Sequence, residues 1–335
     1  MPLTGDSRSL VFTHAIFDSF FFSDSYLKVC SYFGEKKLQL NSDKCLKDKY
    51  RDVLLVITYN FDLYDSIPIL LALYQNAFPN IYICGPNVSE SYPVKQLPIY
   101  KGYFAYKCVA EAISLNDKYT GYLFLMDDVL LNFWTLLDLD KSKLWEGPKQ
   151  PIQVGTFKPP DSWYWWNSRW GKDNCQRAFD ELSFLANESV HNQIMVSGFL
   201  RNLQRNGGGR YRCHRGRSDI FYVPQRLAIE FTFLSSVFYK YKVFLEIAVP
   251  TMFRLLDVSL NFETLTGYYM PGRVGELPVT DSRYLWTLYN EDLNFIHPLK
   301  LHYGGNSTTN LSVLQILILG KVNRMTNCTE LRTHT

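Results

Sequence analysis

The chain lacks several things that would have decided its class at once. No stretch approaches the roughly 20 consecutive apolar residues that a membrane-spanning helix needs. Leu311–Leu319 (LSVLQILIL) is too short, and Val11–Phe22 has neither a basic leading region nor a clean apolar block, so no signal peptide or membrane anchor is visible in these 335 residues. There is no Cys-x-x-Cys pair, which argues against a structural zinc site. Excess charge is also missing: 35 basic against 32 acidic residues leave +3, too little to indicate a nucleic acid or a membrane surface as partner. Internal repeats and low-complexity tracts are absent too, which sets aside solenoids and disordered linkers.

What is present begins with size. At 335 residues the chain can bury a large core, and one α/β domain with extensions is expected. Five Asn-x-Ser/Thr sequons, at Asn87, Asn187, Asn306, Asn310 and Asn327, lean towards the secretory pathway and a glycoprotein. Seven cysteines leave at least one free thiol if the others pair. Aromatic residues reach 16%, and Trp163, Tyr164, Trp165, Trp166 and Trp170 crowd together, either as a core layer beneath a loop or as a platform for a flat ligand.

Order is expected to begin after an extension over residues 1–50. Asp52–Asn60 (DVLLVITYN) is a continuous apolar run, the pattern of a strand covered on both faces. Ser66–Phe78 carries helical spacing with a candidate Ser cap and an early Pro. NIYICGP, from Asn80, reads as a second strand, residues 93–98 as a loop, Tyr103–Asn116 as a helix and Gly121–Met126 as a third strand. Such alternation predicts a mainly parallel sheet flanked by helices. Beyond it, Leu144–Trp170 reads as a loop with short strands, Asp173–Ser189 as a helix and Asn206–Gly216 (NGGGRYRCHRG) as a flexible basic loop. Asp219–Val223 reads as a fourth strand, and Pro224–Arg254 as helix broken at Pro250.

The chemistry concentrates in YLFLMDDVLLNFW, from Tyr122, where two carboxylates interrupt a run of apolar side chains. A buried, unpaired charge is costly, so Asp127 and Asp128 need a compensating partner. Placed at the carboxyl end of a strand, they suit Mg²⁺ or Mn²⁺ shared with phosphate oxygens, or alternatively cap a helix over Val129–Leu137. Glu246, flanked by apolar residues in VFLEIAVPT, suits a catalytic base whose pKa is raised by burial, or a buried partner of Arg226 or Arg254. Asp219 in GRSDIFYVP and His297 in FIHPLKL have, taken by themselves, the bland reading of bonding nearby backbone. A hydrolase using Asp128 and Glu246 as its carboxylate pair is a further possibility.

The order DVLLVITYN, Asp-Asp, GRSDIFYVP, FLEIAVPT, HPLKL resembles glycosyltransferases of the GT-A fold, within them the STELLO-like set, over roughly residues 51–303. The resemblance implies a Rossmann-like mixed, mainly parallel sheet in residues 51–305, with a tail over 306–335. It implies transfer of a sugar from a nucleotide-diphosphate sugar to a hydroxyl of a glycan, protein or lipid in the Golgi or another secretory lumen. By carry-over, Asp128 and His297 (or His302) would hold Mn²⁺ or Mg²⁺; Thr58, Asn60, Asp127 and Asp219 would contact the donor; Glu246 would be the base. Met126 stands where the family motif often has its first acid. The alternative it leaves open is a GT-A-like protein without catalysis, binding carbohydrate or acting as a scaffold.

Overall fold

A computed structural model describes residues 45–116, 118–147, 163–269, 285–286, 289–301 and 310–328. Its strands, in chain order, are β1 (Val53–Thr58), β2 (Ile81–Gly85), β3 (Val94–Gln96), β4 (Gly121–Met126), β5 (Leu130–Leu131), β6 (Trp145–Glu146), β7 (Ile220–Pro224), β8 (Glu263–Thr264), β9 (Gly267–Tyr269) and β10 (Phe295–His297). The longer helices are α1 (Ile67–Tyr74), α2 (Tyr106–Leu115), α3 (Lys172–Leu185), α4 (Val190–Asn206), α5 (Ala228–Lys240), α6 (Leu245–Leu256) and α7 (Leu319–Thr326).

The sheet follows from the apolar runs. All six residues of β1 and all six of β4 are buried, as expected where helices cover both faces. β1 lies between β2 and β4, parallel to both, with Val56 opposite Tyr82 and Phe124. The full order is β3-β2-β1-β4-β7-β6-β8, with β7 antiparallel to β4 and to β6. This is the mixed, mainly parallel sheet that the alternation predicts. Beneath its carboxyl edge, β5, β10 and β9 form a second, three-stranded sheet.

Several local expectations are corrected. The stretch expected as a loop holds β3, a short edge strand in which only Val94 is buried, too brief for alternation to show. Ser66 does not cap α1 with its side chain; its hydroxyl is engaged by the Tyr59 phenol at 2.9 Å. Ser189, expected to end a helix, caps α4 instead by accepting from the Asn192 amide. No helix follows the aspartates, because the chain turns directly into β5 and a short 3-10 turn at Phe133–Thr135. The helical break in 224–254 falls at 241–244, and Pro250 lies inside α6.

Three disulfides join Cys45 to Cys328, Cys84 to Cys108 and Cys175 to Cys213. The third fastens the basic loop after α4 to α3, so that loop is tethered rather than loose. Cys30, His302 and residues 1–44 of the expected extension lie outside the described residues.

Candidate active site

β1 and β4 end side by side, with Thr58 opposite Met126. The backbone knits this edge together: the Asp127 amide donates to the Thr58 carbonyl at 3.0 Å and the Met126 amide to the Asp219 carbonyl at 2.9 Å. Asp219, at the entry to antiparallel β7, is thereby brought level with the exit of β4. Asp128 is buried and reaches the second sheet, where the Leu299 amide donates to its carbonyl at 2.6 Å. The Lys300 ammonium bonds its Oδ2, and His297 Nε2 lies 3.3 Å from its Oδ1 and 3.5 Å from Asp219 Oδ1. Burial alone would raise the Asp128 pKa; Lys300 foremost and then His297 overcome it and hold the carboxyl well below the usual range. Burial opposes the charge on His297 too, but Asp219 and Asp128 prevail and raise it.

Glu246 occupies the first turn of α6, and its neighbourhood depends on Pro250. A proline has no amide hydrogen to give the carbonyl four residues back. That carbonyl belongs to Glu246, and it accepts instead from the Gly216 amide at 3.0 Å. A Cβ on Gly216 would sit 3.3 Å from Pro250 Cγ, so loop and helix meet closely here. The docked loop presents Arg217, whose Nη1 lies 3.3 Å from Glu246 Oε1 and whose guanidinium lies 4.8 Å from the centre of the Tyr269 ring. Tyr269 in turn lies 5.3 Å from the His297 ring. Burial first, and the Asp219 charge second, push Glu246 up to about 7 against the pull of Arg217. The expected partners of Glu246 are committed elsewhere: Arg226 to Asp257, Arg254 to Glu146.

The donor candidates line the remaining edge. Thr58 Oγ1 and Asn60 Oδ1 are buried without hydrogen-bond partners, as are Asp128 Oδ1, Asp219 Oδ2, the Tyr269 hydroxyl and His297 Nδ1. Buried polar groups are normally satisfied by protein, water or ligand, so a cluster of such atoms marks where an incoming polar group would bond. Gly102 closes this side at φ +77°: a Cβ there would come within 1.6 Å of Asn60 Oδ1 and 2.9 Å of Met126 Cε. Met126 is itself buried.

Two curated proteins of Arabidopsis thaliana match this sequence. The probable glycosyltransferase STELLO2 is 29% identical over 157 residues, 46% of this chain and 19% of its own length; the probable glycosyltransferase STELLO1 is 28% identical over 188 residues, 55% and 22% respectively. Over about half of its length the chain is similar to these two proteins. It spans about a fifth of the length of these relatives, and no known family profile matches it.

The set of donor atoms at this edge bears directly on metal binding. Among the described residues no group of three His, Cys, Asp or Glu could cage an ion without help. Asp128 Oδ1 and His297 Nε2, paired at 3.3 Å, do offer a carboxylate and an imidazole side by side. Mg²⁺ and Mn²⁺ commonly take one or two protein ligands and draw the rest from phosphate and water, so the pair fits a cation that arrives with a diphosphate. The structure brings Asp128, Asp219, His297 and Glu246 into one neighbourhood and sets Thr58, Asn60 and Asp127 along its rim. Sequence reasoning missed Lys300 and Tyr269; it offers Arg217 only with Arg210, Arg212 and Arg215 of the basic loop, as cations for a diphosphate or an acidic acceptor, and not as the partner of Glu246. Lys300 stands three residues after His297 in the quoted motif, but only the fold shows that it meets Asp128.

Proposed function

We propose that this chain is a glycosyltransferase that uses a nucleotide-diphosphate sugar and a divalent cation, Mn²⁺ or Mg²⁺, to glycosylate a hydroxyl acceptor. The likeness to the STELLO proteins supports a glycosyltransferase in general terms. The carrying observation is the set of unpartnered buried polar atoms at the carboxyl edge, gathered around Asp128, Asp219 and His297.

In this reading Thr58, Asn60 and Asp127 hold the nucleoside end of the donor and Asp219 its sugar. Asp128 and His297 would hold the cation, which when bound offsets the negative charge that builds on the departing diphosphate. Glu246 takes the proton of the acceptor hydroxyl. The oxygen forms its bond to the anomeric carbon as the bond from that carbon to the diphosphate breaks. A pKa near 7 leaves Glu246 able both to accept that proton and to release it afterwards. The Lys300 ammonium, already on Asp128, adds positive charge on the leaving-group side.

A lumenal setting in the secretory pathway is part of this proposal. The three disulfides favour an oxidising compartment. Asn87, Asn187 and Asn327 are exposed and open to glycosylation, whereas Asn310 is buried and bonded to Trp286 and the Lys300 carbonyl. Among the described residues no helix is long and apolar enough to cross a membrane.

The test is thermal stabilisation by UDP and by GDP, each with and without Mn²⁺, followed by a screen of nucleotide sugars for donor hydrolysis. Metal-dependent stabilisation that Asp128→Asn removes is the expected result. If neither nucleotide stabilises the parent, or both variants respond alike, the donor site is misassigned. A second reading, a carbohydrate-binding protein without turnover, is favoured by Met126 in the acidic motif and by Lys300 holding Asp128; it predicts no stabilisation by any nucleotide.

A further inference from the structure

The dense aromatic segment lies beside the proposed base. The Leu245 amide, next to Glu246, donates to the Tyr103 carbonyl at 2.8 Å, and the Phe244 amide to the Trp170 carbonyl at 2.8 Å. Trp165 stacks on Phe244 at 4.3 Å and 8°, while Tyr103 packs edge-on against Trp165 at 4.8 Å and Trp170 at 5.2 Å. Neither Trp165 nor Trp170 is fully buried.

Two connections tie this platform to the acid cluster. Tyr100, Lys101 and Gly102 run consecutively through left-handed backbone, with φ of 39°, 53° and 77°. Two non-glycine residues in that region are uncommon and cost energy. Gly102 anchors the turn against Asn60 and Met126, and Tyr100, 48% exposed, reaches Trp170 at 5.9 Å. On the other side, the loop that sets Arg217 on Glu246 sets Arg215 5.8 Å from the Trp163 ring.

The rim is basic. Arg169 stands 4.2 Å over Trp170 and Lys101 6.0 Å from the Tyr100 ring. Arg169, Lys101 and Arg215 are all exposed, and their contacts among the described residues are to rings rather than carboxylates. Half-covered rings offer an apolar face to the C–H side of a pyranose while leaving its hydroxyls wet, and exposed cations at their edges favour an anionic substituent.

We propose that this platform, formed around Tyr100, Trp165 and Trp170 with Arg169 and Arg215 at its rim, is the acceptor subsite, and that it takes an anionic saccharide bearing carboxylate or sulfate. The proposal deepens the transferase reading and rests on it for the word acceptor; saccharide binding is measured without nucleotide or metal, so the two fail separately.

The experiment is titration of the full chain, followed by intrinsic tryptophan fluorescence, with hexasaccharides of hyaluronan (carboxylate only), keratan sulfate (sulfate only) and chitin (uncharged). One or both anionic sugars should bind at least tenfold more tightly than chitin, and which of them does so identifies the anion. The paired exposed substitutions Arg169→Ala and Arg215→Ala should weaken that binding about tenfold with an unchanged melting temperature; Tyr100→Ala should weaken all saccharide binding, and Asp128→Asn should leave it intact. No binding by any of the three, chitin binding as tightly as the anionic sugars, or an unaltered arginine double variant would overturn the proposal.

Discussion

The two ends of the central sheet are built from similar residues and treated in opposite ways. At the amino edge Asp52 is held by Lys141 at 2.8 and 2.9 Å and by the Thr120 hydroxyl at 2.9 Å, while the Tyr222 phenol donates to the Thr120 and Lys141 carbonyls. That end is closed on itself. At the carboxyl edge six residues leave a buried polar atom without a geometric hydrogen-bond partner; among the described residues only Tyr82, His214 and Thr232 do so elsewhere. Leaving such groups unmade is expensive, so the contrast favours the carboxyl edge as the end where the proposed donor would bind. It also teaches that a charge in a sheet is informative through what its neighbours leave undone.

The contrast can be broken most severely at Glu246. Glu246→Gln should lower transfer by about 10²–10⁴-fold, the range typical of a general base, without loss of folding; kcat beside a melting curve decides it. For the parent, activity should rise with pH through about 7, because the proposed base would work only when ionised. The effect on stability runs the other way: a carboxyl whose pKa is raised by folding stabilises below its unfolded value and loses that contribution as pH climbs through about 7.

Asp128→Asn should cost on the order of 10²-fold in donor hydrolysis, as loss of one charge-stabilising group does, together with the nucleotide-dependent thermal shift. Arg217→Ala removes the cation that lowers Glu246, so the acid limb of the pH–rate profile should move to higher pH; an unmoved limb would show that Arg217 does not act on the base. Pro250→Ala supplies an amide to compete with Gly216 for the Glu246 carbonyl. It should raise the melting temperature while reducing turnover several-fold, since proline costs about 3 kcal/mol in a helix interior. At the closed edge, Asp52→Asn should cost only about 0.5–1 kcal/mol, the worth of a partly exposed ion pair, and leave nucleotide binding as it was.

Sequence reading fared unevenly for physical reasons. β1, β2 and β4 were legible because burial on both faces writes itself as unbroken apolar runs, and the two aspartates were conspicuous because they interrupt one. β3, β6 and β8 are two or three residues long and carry no period. Asp127, Asp128 and Glu246 were found singly, since each sits in an apolar context, whereas Lys300, Tyr269 and the pairing of Arg217 with Glu246 matter only through neighbours that are distant in sequence. Pro250 misled because its cost to α6 is relieved by a loop amide from another part of the chain.

The bond between Cys45 and Cys328 has a mechanical meaning. Their Cα atoms stand 5.8 Å apart although 283 positions separate them along the chain. Tension applied to the chain across these two positions would pass through two sulfur atoms and bypass the strands between them, which would be shielded from that pull.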